Sequence, residues 1–336
     1  MLRTLFIFLI TLFSLQSLEA QTYSKPRRGE GVSTFLLRNK RNPNVYRDAF
    51  VRLNKRKLGR NNSLLYGVSY QIPPLIRPSK PGVTTRPPSL PRKGVEPLFG
   101  KRYQHYTVKS NVLQGATYYL CSGHGGPDPG AIGKYGKYKL YEDEYAYDVI
   151  LRLGRALLER GATVHFIIRD PKDGIRSSRI LNYSRNETCM GRPIPLSQLS
   201  RLKQRVVAIN NLAKKSSSRY KRSVFLHVDS RSLSKRMDVF FYYNSKKGSR
   251  EMVQRIRNTF EMKYKLHQPG RGFGGTVSTR SLYVMNNVAM PAAFVELGNI
   301  QNAFDQPRFM SPDNRQALAN WMCDGFVADY VRYRGK

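Results

Sequence analysis

From about residue 98 onward the sequence predicts an α/β domain, a sheet with helices on its faces. Two observations carry this expectation. Short apolar runs of strand length alternate with segments whose apolar residues recur at helical spacing, and several of the runs stop in glycine, histidine or acidic residues. Residues 103–108 and 116–120 read as strands. Residues 142–160 read as a helix, because Ala146, Val149, Ile150, Leu153 and Leu157 share one face and Gly161 supplies a left-handed stop. A strand over 164–168, a helix over 196–212 and a strand over 223–228 follow, the last ending in His227, Val228, Asp229 and Ser230. Residues 252–260 read as helix, 281–285 and 292–297 as strands, and 314–332 as a closing amphipathic helix. The basic, polar stretch 170–195 reads as a long loop, and no internal repeat is visible.

The chain of 336 residues has room for this domain and a smaller one before it. Residues 1–20 have a basic start at Arg3, a short apolar centre and a small residue, Ala20, at the end. That is the pattern of a secretory signal peptide, too short for a stable membrane anchor. Export to a periplasm or to the outside is therefore expected, with no transmembrane segment after cleavage. The three cysteines, Cys121, Cys189 and Cys323, allow one disulfide at most, and their scatter offers no zinc-knuckle spacing. Any metal must then be held by histidine and carboxylate.

Formal net charge is +36. For an exported chain this points away from nucleic acid and toward anionic envelope polymers or the carboxylates of wall peptides, or toward a merely solvated basic surface.

Residues 21–73 are small and basic, with clustered apolar positions. Two short helices are expected near 32–37 and 50–53, and a strand over 64–72 that ends at Pro73. The pieces GEGVSTFLLR, FVRLNKRKLG and NSLLYGVSYQIP resemble a LysM module. The resemblance implies a β-α-α-β fold that binds glycans containing N-acetylglucosamine. Residues 74–97 are rich in proline, arginine and lysine and read as an extended linker, which leaves 98–336 as the larger domain.

The chemistry gathers on four groups. The stretch CSGHGGPDPGAIG presents His124 where a strand gives way to glycines. Glu142 opens a helix, His227 ends a strand and Glu296 lies near the end of another, and strand ends of an open α/β sheet are where clefts form. Two imidazoles and one carboxylate, here His124, His227 and Glu142, suit a catalytic zinc ion with an open fourth position. Glu296 suits a general base outside that set. Arg271 and Arg280 are candidates to clamp a peptide carboxylate, while His105, His165 and His267 lack comparable surroundings.

GHGGPDPGAIG, LYEDEYAYDV, FLHVDS, RGF and PAAFVELGNIQN together resemble the zinc-dependent N-acetylmuramoyl-L-alanine amidases of the Amidase_3 type. The resemblance implies a central, mostly parallel sheet of about six strands flanked by helices. It assigns zinc to His124, Glu142 and His227, and the base to Glu296. The expected activity is hydrolysis of the amide between N-acetylmuramic acid and L-alanine in peptidoglycan. Three positions depart from the family pattern: Cys121 stands where an aspartate is usual, Val228-Asp229 replace a small polar pair, and Asn299 replaces an aromatic. Two other readings stay open, a zinc peptidase acting on stem peptides and a wall-binding protein that keeps the fold without catalysis.

Overall fold

The computed structural model describes residues 22–75 and 90–335. The expected leader and most of the expected linker, residues 76–89, lie outside them. Two compact units divide after Ile76, apart from the short stretch Asn42–Val45, which groups with the second.

In the first unit, strand Tyr23–Ser24 pairs antiparallel with Tyr70–Gln71, and helices Val32–Arg38 and Pro43–Asn54 lie between them in the chain. The element order is thus β-α-α-β. Phe35, Phe50 and Tyr70 are fully buried and meet ring to ring at 5.6, 6.0 and 5.8 Å. Each such burial contributes roughly 1.5–3 kcal/mol. Buried Asn54 accepts from the Gln71 amide and donates to its carbonyl, both at 2.8 Å, so the helix end fixes the last strand. The strand expected over 64–72 shrinks to Tyr70–Gln71. Gly67 turns the backbone to φ +83° and Tyr66 faces solvent, which ends pairing upstream.

The second unit is built on a six-stranded sheet in the order Val277–Thr279, Phe240–Tyr243, Ala292–Asn299, Tyr220–Asp229, Ala116–Ser122, Thr163–Phe166. Every pairing is parallel except that between Phe240–Tyr243 and Ala292–Asn299. Alternation along the strands gives each face its own core. Tyr118, Leu120, Val224, Leu226 and Val295 pack with helices Glu142–Leu158, Ser249–His267 and Pro312–Arg334. Tyr119, Cys121, Phe225 and Phe294 turn the other way, toward helix Gln198–Lys215 and the short helix Tyr283–Asn287. The expected α/β sheet flanked by helices is the observed one.

Four local readings differ. Residues 281–285 are not a strand: Tyr283–Asn287 is a one-turn helix burying Val284 and Met285, and an apolar run that short has no decisive period. Residues 92–95, assigned to the linker, form strand Arg92–Val95, antiparallel to His105–Val108, and Pro97–Phe99 is a 3-10 turn seating buried Phe99. The domain therefore begins earlier than residue 98. That hairpin also takes the 103–108 strand away from the central sheet. Phe240–Tyr243 and Val277–Thr279 supply two sheet strands the sequence reading left out. The three cysteines are buried and free. No helix among the described residues is long and apolar enough to cross a membrane.

Candidate active site

Strand Ala116–Ser122 ends beside Tyr220–Asp229, and the pairing runs one residue further, with Gly123 N–H donating to the Leu226 carbonyl at 2.9 Å. A side chain at 123 would not fit without a shift of the strand or the ring, because a Cβ would stand 1.8 Å from Cε1 of His227. His124 follows at once. A tight loop closes when the Gly125 amide donates to the Asp128 carbonyl at 2.8 Å, which swings the Asp128 carboxylate back to His124 Nδ1 at 2.9 Å. With Nδ1 donating to Asp128, Nε2 is left facing Glu142 Oε1 at 3.4 Å. Gly130, at φ +68°, lets the loop pass close above Glu142, since a Cβ there would lie 2.6 Å from Oε2.

Glu142 is held by the backbone. Ala131 N–H donates to Oε2 at 2.8 Å and Val228 N–H to Oε1 at 3.1 Å, while His227 Nδ1 lies 2.9 Å from Oε1. His227 in turn stacks on Phe294 at 4.2 Å and meets His124 edge-on at 5.0 Å. The structure thus gathers His124, Glu142 and His227 with one ligand atom from each within 4.8 Å of the others. Glu296 stands opposite His227 on the neighbouring strand and lines the same cleft, about 380 Å³ in volume.

The electrostatics follow from burial and from these pairs. Burial opposes the charged form of His124, yet the carboxylates of Glu142 and Asp128 outweigh it and raise the imidazole to about 10. Burial also opposes ionisation of Glu142, and the two imidazoles overcome it, holding the carboxyl well below the usual range. Burial lowers His227. Glu296 is pushed well up by burial, then by the negative charges of Glu142 and Asp229. Its Oε2 is buried without a hydrogen-bond partner, and Arg280 Nη1 stays 3.9 Å from Oε1.

The three-residue group fits a divalent cation with borderline-soft preferences: two nitrogens and one carboxylate oxygen converge, and backbone and Asp128 hydrogen bonds fix their directions. In a second close group, Asp143, Glu144 and Glu187, the last two are already engaged, while Asp143 Oδ2 is buried without a hydrogen-bond partner. Arg176 pairs with Glu144 at 2.6 Å, and the Gly126 amide and the Ser184 hydroxyl donate to Glu187.

Of the two arginine candidates, Arg280 lines the cleft. Arg271 does not. It pairs with Asp238 at 2.5 Å, lies over the rings of Tyr264 and Phe304, and borders a separate hollow of about 120 Å³. Asp128, Arg201 and Arg205 line the cleft and were not singled out from the sequence. Asp128 was detectable four residues after His124; the arginines were hidden among the chain's many basic residues.

Residues 119–328 match the Amidase_3 family, described as N-acetylmuramoyl-L-alanine amidase. The chain belongs to that family. A germination-specific N-acetylmuramoyl-L-alanine amidase of Bacillus subtilis (strain 168) is 26% identical over 215 residues, covering 64% of this chain and 80% of that protein. The probable cell wall amidase LytH of Staphylococcus aureus is 25% identical over 221 residues, and the match spans 65% of this chain and 60% of LytH. Among solved structures, the CwlD amidase from Clostridioides difficile in complex with the GerS lipoprotein has a TM-score of 0.48 at 19% identity, covering 65% of this chain and 99% of CwlD. Ami1 from Mycobacterium smegmatis, an N-acetylmuramyl-L-alanine amidase, has a TM-score of 0.47 at 19% identity, covering 67% of this chain and 100% of Ami1. The Amidase_3 match contains all four groups of the candidate site, His124, Glu142, His227 and Glu296.

Proposed function

We propose that the protein is an exported zinc amidase that hydrolyses the bond between N-acetylmuramic acid and the L-alanine of the peptidoglycan stem peptide. The observation that carries this reading is the convergence of His124, Glu142 and His227 beside an unpartnered, buried Glu296 carboxylate oxygen in one cleft.

His124 Nε2, His227 Nδ1 and a Glu142 oxygen would hold the metal. Zinc bound there supplies Lewis acidity toward the amide carbonyl, acidifies water and draws the Glu296 carboxyl back down by its positive charge. Glu296 accepts the water proton as the oxygen adds to the carbonyl carbon. It then delivers that proton to the departing amine nitrogen, so the C–N bond breaks to leave a carboxylic acid and a free N-terminal alanine. Arg280, 3.9 Å from Glu296 Oε1 and lining the cleft, would orient the substrate. Asp128 keeps the His124 proton on Nδ1.

The β-α-α-β order of the first unit supports a LysM-like glycan-binding role. It would hold the enzyme on the wall through a linker. The net positive charge supports a further grip on anionic envelope polymers.

Purified protein lacking residues 1–20 is expected to release stem peptides with a free L-alanine amine from isolated sacculi, and dipicolinate to stop the release. Mass spectrometry of the products decides it. Peptides cleaved internally would instead identify a peptidase, and unchanged sacculi with zinc-free protein a wall-binding role.

A further inference from the structure

Arg205 lies on helix Gln198–Lys215 and is about 2% exposed, yet it lines the cleft that holds His124 and His227. Its Nε and Nη2 hydrogens have no hydrogen-bond partner, and among the described residues no carboxylate pairs with it. The other buried arginines of this unit are matched. Arg315 reaches Asp148, Arg222 reaches Asp329 and Arg308 reaches Asp238. Arg205 instead lies beside the thiols of Cys121 and Cys189, with Cys121 in side-chain hydrogen-bond reach; burial pushes the Cys121 thiol up to about 12, so it stays neutral and supplies no counter-charge. Arg201, one turn earlier, also lines the cleft, but its charge is taken by Asp128 at 2.8 Å.

A guanidinium is always charged, and burying it unpaired is strongly unfavourable. Its fork of N–H groups matches a carboxylate in two parallel hydrogen bonds. A cleft wall that keeps such a group dry and unsatisfied is completed by an anionic ligand.

We infer that Arg205 is a carboxylate receptor within the cleft, recognising a free carboxylate on the peptide released from the scissile amide. This rests on the amidase reading for its substrate, an acidic peptide beginning with L-alanine. It extends that reading by making the cleft selective for peptides whose acidic residue is not amidated.

The test is calorimetric titration of the zinc-loaded full chain with L-alanyl-D-glutamic acid and with its diamide. Wild type is expected to bind the acid about tenfold or more tightly than the diamide, the scale of one hydrogen-bonded charge pair. Arg205→Met should bring that ratio close to one while the zinc content stays at the wild-type level. Should the methionine variant not fold, Arg205→Lys decides. It keeps the charge without the fork, and its ratio should fall at least about threefold. Equal binding of acid and diamide by wild type, no measurable binding of the acid, or a ratio unchanged in the variants overturns the receptor. The titration needs no turnover, so failure to cleave sacculi alongside a preserved acid preference would count against the amidase reading alone.

Discussion

His227 and Glu296 stand directly opposite each other in the register of two adjacent parallel strands. The spacing between a proposed metal ligand and the proposed base is thereby fixed by backbone hydrogen bonds. A slip of one residue would send either side chain to the opposite face of the sheet.

Replacing Glu296 by Gln keeps the shape of the side chain and removes its ability to accept a proton. Zinc content should stay at one per chain while turnover falls by about 10²–10⁴-fold. His124→Ala should lose zinc. Elemental analysis beside a turnover assay separates the two effects, and loss of zinc from the Gln variant would move Glu296 into the ligand set.

Gly123→Ala forces a methyl group into the His227 ring, 1.8 Å from Cε1. The strand or the imidazole must shift, so the variant should lose about 1–3 kcal/mol of stability and bind zinc more weakly. Urea unfolding and competition with a chromogenic chelator measure the two losses.

Asp128→Asn weakens the acceptor that orients His124 and releases Arg201 from its ion pair. Zinc affinity should fall about 10- to 100-fold with the fold intact, as for other partners that orient metal-binding histidines. An unchanged affinity in the chelator competition would show that the glycine loop alone sets the ring.

Asp238 accepts from Arg271 at 2.5 Å, from the Gly274 amide at 2.6 Å and from Arg308 at 3.0 Å. Burial works against its charge, but the bonds from Arg271 and Gly274 and the Arg308 charge hold its carboxyl below the ordinary value of 3.8. A carboxyl lowered in the folded state adds stability that is fully present above its unfolded value and is lost as the pH falls through its folded one. Asp238→Asn should therefore cost about 3–5 kcal/mol at pH 7. The gap to wild type should shrink once the pH drops below about 3.8, as urea titrations at several pH values would reveal.

Deleting residues 21–73 should lower activity on intact sacculi more than on small soluble muropeptides. If the first unit grips glycan by hydrogen bonds and apolar contacts, the full chain should stay on sacculi at about 0.5 M salt, where exposed charges are strongly screened. Complete release at that salt would leave only an electrostatic tether.

Much of the site was legible because its residues sit where the chain changes state. His124 follows a strand that runs into glycines, Glu142 is the first residue of a helix, and His227 and Glu296 lie near the ends of apolar runs. Such positions leave a local mark in the sequence. Arg205 leaves none, since one arginine on a basic amphipathic helix reads as solvated surface, and only its burial beside the thiols of Cys121 and Cys189 shows otherwise. The strand Phe240–Tyr243 escaped for a related reason: four consecutive aromatic residues show no alternation, and only their neighbours decide which rings are buried. Arg271 misled because its attraction to a carboxylate was real but met internally by Asp238.

Arg315, on the closing helix Pro312–Arg334, is fully buried and donates to Asp148 at 2.5 Å and to the carbonyls of Phe309, Met310, Arg176 and Ser178. Asp148 belongs to the helix that begins with Glu142. Its carboxylate also accepts from Arg152 Nε one turn on and from the Arg176 amide, both at 2.7 Å, so Arg315 completes a set of three donors from three separate stretches of the chain. The closing helix is thereby tied through one carboxylate both to the helix that starts at Glu142 and to the loop carrying Arg176 and Ser178, so a disturbance at Arg315 would be felt at both.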